Sequence, residues 1–188
     1  MYKLTYNITI NNQSLEQILF INERMVIISL NNKWSVFLEE KDKSYYINMD
    51  NKSLSLIDYS KFKLQMESIS KEFGAIEISK KDTEEILLGY PSKKYQYKNV
   101  QIVPSLNSEI KVATIPKFDK TSYLAYINFE KQNQLIDIPL KTNELIVYNI
   151  TELVFLQGKQ TQKTELFSIE EWSFSKEFLE ICNYTLMN

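Results

Sequence analysis

Three carboxylate pairs, Glu39-Glu40, Glu84-Glu85 and Glu170-Glu171, and a single cysteine, Cys182, are the residues whose types could do chemistry. Two carboxyl groups facing one cleft can share acid and base work in hydrolysis. Adjacent residues of a strand point to opposite faces, however, so none of these pairs makes such a couple. Solvated turn or edge charges account for them. Cys182 reads as a small buried apolar side chain. The chain holds no histidine, which removes Ser-His-Asp and Cys-His sites, His-ligated zinc and imidazole bases together. One cysteine forms neither a thiolate cluster nor an intrachain disulfide. Glycines stand only at Gly74, Gly89 and Gly158, too few and too far apart for a phosphate-cradling loop. No catalytic residue, metal or cofactor is expected, and the chain reads as a non-enzyme.

The elements that would position any site are mostly strands. Five short apolar runs follow one another between Leu15 and Asp58, broken at Asn22-Glu23, Asn31-Asn32, Lys41-Asp42-Lys43 and Asn51-Lys52. Runs rich in Ile, Val, Phe and Tyr with Asn/Asp breaks predict strands joined by tight hairpins. Both faces of this meander carry apolar weight. Trp34, Val36 and Leu38 share one face, and Ser35, Phe37 and Glu39 share the other. A sheet with one wet face would alternate more cleanly. Either helices cover one face and a further element the other, or the sheet curls around an interior.

At 188 residues the chain is expected to form one domain over 1–188, with a sizeable core. A net charge of −2 gives no footprint for nucleic acid or an anionic membrane. No apolar run approaches membrane-spanning length. The start, MYKLTYNITI, lacks the basic and apolar regions of an export signal.

Tyr2 to Ile10 alternates apolar and polar residues as a half-buried strand does. After Asp58 the period lengthens: Phe62, Met66, Ile69 and Phe73 predict a helix over about 60–73, capped by Ser60 and stopped at Gly74. Strands are predicted at AIEIS (75–79), EEILLGY (84–90), KKYQYKNVQIV (93–103) and EIKVATI (109–115). The Tyr95/Tyr97 run reads as an outer strand whose lysines guard the edge. Asp119 can cap a second helix running to about Gln132, with Tyr123, Leu124, Ile127 and Phe129 as its stripe. LKTNELIVYNI, TELVFLQ and QKTELFSIEEW make a final hairpin set, and Ser175 can cap a short last helix. The order points to an antiparallel α+β layer.

The ordered phrases at Leu19–Met25, Trp34–Asp58, Gly89–Tyr97 and Pro139–Val147 resemble the LolA-like half-barrel superfamily, nearest to exported bacterial proteins of unknown function. The resemblance implies a curved antiparallel β-sheet, an incomplete barrel, with about two helices on the concave face. It also implies an interior able to take lipid acyl chains. This chain has Ser92 where members often carry a cysteine, and Arg24 alone is at hand for the arginine that latches a lid.

The function expected is therefore a non-catalytic, lipid-binding carrier of the cell envelope, periplasmic if a signal was removed ahead of Met1. The alternative is a protein–protein interaction module that uses the curved sheet or its edge. Expected partners are a lipid or apolar small molecule, or a protein, with no nucleic acid and no membrane-spanning segment. The ligand-lining set is Trp34, Val36 and Leu38, joined by Tyr45 and Ile47 and by Phe62 and Met66 of the helix, while Phe37 and Tyr46 lie on a convex, partly wet face. Met66→Asp would bury a carboxylate and is expected to cost several kcal/mol. A melting temperature within about a degree of the parent would show that helix to be undocked.

Overall fold

Strict alternation at the N-terminus does give a strand, β1 (Tyr2–Ile10). It begins a run of six consecutive hairpin-linked strands that continues with β2 (Gln13–Ile21), β3 (Met25–Leu30), β4 (Lys33–Leu38), β5 (Lys43–Asn48) and β6 (Ser53–Leu56). A second run comprises β7 (Ile76–Leu87), β8 (Tyr90–Asn99), β9 (Ser105–Thr114), β10 (Glu144–Phe155) and β11 (Gly158–Glu171), with helix α1 (Leu124–Asn133) between β9 and β10. The computed structural model describes residues 1–39, 43–58, 68, 71, 73–99, 103–118, 124–133 and 140–173. All eleven strands form one curved, unclosed antiparallel sheet in the order β6-β5-β4-β3-β2-β1-β11-β10-β9-β8-β7. The first and last strands in sequence meet at its centre, where Tyr2 pairs with Glu171 and Ile10 with Gln162.

Asparagine builds the turns. Asn11 and Asn12, and again Asn31 and Asn32, hold positive φ at both central positions of two-residue hairpins. That is the backbone whose twist matches the flanking strands, and asparagine tolerates it better than other side-chain-bearing residues. Asn22 Oδ1 accepts from the N–H groups of Arg24 and Met25 at 2.9 and 2.8 Å. Asn48 Oδ1 does the same for Asp50 and Asn51. A compositional bias thus becomes hairpin chemistry.

Three apolar clusters hold the layers. The largest joins Leu4, Leu19, Ile21, Val26, Phe37, Ala113 and Leu145 to Ala125 and Tyr126 of α1, so the helix lies on this face of the sheet. A second, of Phe20, Met25, Ile27, Val36, Leu38 and Ile47, occupies the opposite face of the β2–β5 end. A third gathers Phe73, Tyr95, Tyr97, Leu106, Ile110 and Val112 at the β8–β10 end.

Several expectations need correction. Among the described residues one helix is complete, α1, so the α+β reading with about two helices becomes a mainly β architecture. The helix expected at 60–73 lies outside the described residues except at Ser68, Lys71 and Phe73, which are helical. The helix expected after Ser175 lies wholly outside them. The run at 75–79 and the first part of the run at 84–90, to Leu87, are one strand, because a register shift between Asp82 and Ile86 absorbs the polar residues that looked like a break, and Tyr90 already begins β8. TELVFLQ likewise continues β10 rather than starting a new strand. Tyr95 and Tyr97 are buried on an inner strand, because β7 pairs along the outer side of β8. The buried stripe of α1 runs through Ala125 and Tyr126 with Phe129 packed beside them.

Asn99 ties the third cluster together. Its buried amide donates to the carbonyls of Phe73 and Pro104 at 3.0 and 2.8 Å, while its carbonyl accepts from Leu106 N–H at 2.8 Å. Asn99→Ala would leave three backbone groups without this partner, two of them in buried hydrogen bonds, and is expected to cost about 2–4 kcal/mol. Chemical denaturation measures it, and a loss under about 0.5 kcal/mol would mean that the clamp carries no stability.

Candidate functional site

The face expected to line a ligand is brought together by the hairpin register. Trp34 stands opposite Ile47 and Val36 opposite Tyr45, while Ile27 lies across from Val36 on the other side. Trp34, Val36, Leu38, Tyr45 and Ile47 therefore share one face with Phe20, Met25 and Ile27. Phe62 and Met66, the remaining members of the expected set, lie outside the described residues. Phe73, from the end of the same stretch, packs in the third cluster, away from Trp34. Phe37 does not lie on a wet face: it is fully buried and its ring meets Phe129 of α1 at 6.2 Å. The helix covers Phe37, although the apolar weight of Trp34, Val36 and Leu38 on the opposite face made Phe37 look like the outer residue. Tyr46, on the same side, is 55% exposed because α1 does not reach that far along the sheet.

An aromatic group at this face was missed in the sequence. Phe20 stacks on Trp34 with ring centres 6.1 Å apart and meets Trp172 at the same distance in a tilted arrangement. The register explains it. Trp172 follows directly on β11, and its N–H donates to the carbonyl of Met1 at 3.0 Å. Lys3 and Glu170 lie beside it across the central ladder. The Lys3 ammonium sits 4.7 Å over the Trp172 ring and 3.8 Å from Glu170. A cation over an indole face is attracted by the ring quadrupole. Pairing of β1 with β11 could not be read locally, so no sequence signal placed Trp172 near Phe20.

Several polar side chains elsewhere are held by partners in the fold. Tyr6 on β1 hydrogen-bonds Tyr126 on α1, which in turn hydrogen-bonds Glu130 one turn later. Burial pushes both phenols above their ordinary range, and the nearby Glu130 charge pushes the same way. Lys111 holds Glu85 at 2.8 Å, and that hydrogen bond raises its pKa against the opposing effect of burial. The carboxylate pair Glu170-Glu171 splits as expected: Glu170 faces Lys3, and Glu171 pairs with Tyr2 on the other side. Among the described residues no cluster of acidic, His or Cys side chains could hold a metal ion, and no helix is long and apolar enough to cross a membrane.

The fold and this face define an open antiparallel sheet crossed by a helix on one side and apolar on both. Solved structures with a similar outline include a LolA superfamily protein, NE2245, from Nitrosomonas europaea. It shares 6% identity at a TM-score of 0.39, over 94% of this chain and 88% of that one. A putative outer membrane lipoprotein-sorting protein domain from Vibrio parahaemolyticus shares 4% identity at a TM-score of 0.37, over 100% and 91%. PNGF-II shares 10% identity at a TM-score of 0.44, and the chain, covered over 95%, spans only 29% of it. No family model and no curated protein sequence matches the chain.

Glu144, at the start of β10, is buried, and its carboxylate accepts from the Lys93 ammonium and from the Lys141 N–H at 2.9 Å. Burial works to raise its pKa, but the Lys141 N–H and Lys93 outweigh it and hold the carboxyl below the usual 4.5. A carboxyl that titrates lower when folded stabilises the fold above its unfolded-state pKa. That stabilisation is lost as pH falls through the folded-state value. Glu144→Gln is expected to cost about 2–4 kcal/mol at neutral pH. The gap in melting temperature between parent and variant should narrow in a series taken below about pH 4. A gap that stays constant down to pH 3 would show that the ionic pairing contributes nothing.

Proposed function

We propose that this protein is a non-catalytic binding or carrier protein for a lipid or other apolar molecule, taken up on the Trp34, Val36, Leu38, Tyr45 and Ile47 face. One observation carries the reading. Both tryptophans of the chain converge on Phe20 at this face, Trp34 half-buried and Trp172 42% exposed, with a lysine at the outer ring. Large aromatic groups left partly open to water at the margin of an apolar surface offer area to a flexible hydrocarbon. The Lys3 ammonium would meet the polar end of an amphipathic ligand. A place in the cell envelope belongs to this reading. A second reading, an interaction module working through the sheet edge, is favoured by β7, whose outer side has no neighbouring strand among the described residues.

Because both indoles border the face, intrinsic fluorescence reports on it directly. Titration with palmitate, or with a lysophospholipid, should change tryptophan emission saturably. Tyr45→Arg keeps both tryptophans and places a charge on a half-buried position of the face. It should weaken binding about tenfold or more, with the circular dichroism spectrum unchanged. A parent protein with no saturable response, or a Tyr45→Arg variant that binds as the parent does, would remove the carrier reading.

A further inference from the structure

We propose that two copies of this chain join through β7, edge to edge and antiparallel, into one continuous sheet. The two margins of the sheet differ in kind. The β6 edge is four residues long, too short to guide a partner. The β7 edge pairs with β8 without interruption from Ile76 to Asp82, opposite Asn99 to Lys93. Its outer side, among the described residues, has no strand beside it. An edge of this length presents a row of main-chain donors and acceptors ready for another strand.

The side chains of the edge select the partner. Glu77, Ile78, Ser79, Lys80 and Lys81 are all exposed, and Ile78 is 54% open to water. Place a two-fold axis at Ser79, as a closed homodimer requires. Each Glu77 then stands opposite Lys81 of the other copy, twice over, and Ile78 stands opposite Lys80, whose methylene stem can cover it. Neighbouring registers are worse. A slip of one residue opposes side chains that point to different faces, which the two-fold axis does not allow, and a slip of two sets either Lys80 or Ile78 against itself and loses both Glu77–Lys81 contacts. Opposite charges across the ladder therefore specify both the partner, a second copy, and the register. Among the described residues Glu77 is paired within its own chain with Lys98 at 4.0 Å, a long and exposed pairing that leaves it able to turn outward. The register shift after Asp82 bends the strand and ends the interface there.

The test uses the whole chain and sedimentation velocity over the micromolar to submillimolar range. The parent should sediment as a dimer at the upper end. Lys81→Glu sets two glutamates against each other at both contacts, and Glu77→Lys sets two lysines, so each variant alone should be monomeric. Their equimolar mixture places glutamates on one strand against lysines on the other and should recover the dimer. Both positions are exposed, so folding is checked by circular dichroism and should not change. In a Cys182→Ser background, Ser79→Cys should give a disulfide-linked dimer on mild oxidation. A parent that stays monomeric at the highest concentration overturns the proposal. So do single variants that dimerise as the parent does, or a mixture that does not recover the dimer. Ligand uptake is read separately by fluorescence, so either proposal can fail without the other.

Discussion

Val36 and Phe37 are neighbours on β4, point to opposite faces of the sheet, and are both fully shielded from water. The rest of the structure depends on that constraint. Burying two large apolar side chains back to back is worth roughly 2 kcal/mol or more for each, and it requires a layer on either side of the strand. On the Phe37 side α1 supplies the layer, and Phe129 meets the ring. On the Val36 side lie Phe20, Met25, Ile27, Leu38 and Ile47 of the second cluster, with the indoles at the margin. A sheet so placed is an inner wall, and its curvature lets both faces stay covered at the β2–β5 end.

The helix is held to its face by more than apolar area. Ala125 and Tyr126 enter the core, and a hydrogen-bonded chain from Tyr6 through Tyr126 to Glu130 runs from strand to helix. A buried phenol without a partner is costly, so this chain fixes the rotation of α1 as well as its depth. At the other end of the sheet, Asn99 does comparable work for a loop and Glu144 for a strand entry. The polar groups of the interior are thus concentrated where an element could otherwise slide.

What could be read from the sequence follows from the range of the interaction involved. Hairpins were legible because turn chemistry is local: Asn31-Asn32 and the alternation of β1 state their own geometry. The set Trp34, Val36, Leu38, Tyr45 and Ile47 was legible as one face for the same reason, since period and register fix it. Which face the helix would choose was not, because Phe37 and Val36 are equally apolar and the choice is made by residues far along the chain. β7 looked like two strands because a bulge and a turn share the same polar composition. Trp172 was assigned no role because its neighbours, Phe20 and Lys3, lie across a pairing that no local pattern announces.

That pairing, β1 against β11, divides the sheet into two runs of sequence-consecutive strands, hairpin-linked except where α1 separates β9 from β10. Among the described residues it is the only ladder that joins strands remote in sequence. Bonds fasten both of its ends, Trp172 N–H to the Met1 carbonyl at one and Asn11 N–H to the Thr161 carbonyl at the other. Each half is built largely from pairings closer in the chain, while the seam brings Tyr2 to Glu171, and contacts so distant in sequence form slowly. Completion of the fold then waits on joining the two halves along this seam. Until it happens, β1 and β11 are open edges, so the newly made chain carries its greatest risk of wrong pairing at what becomes the centre of the finished molecule.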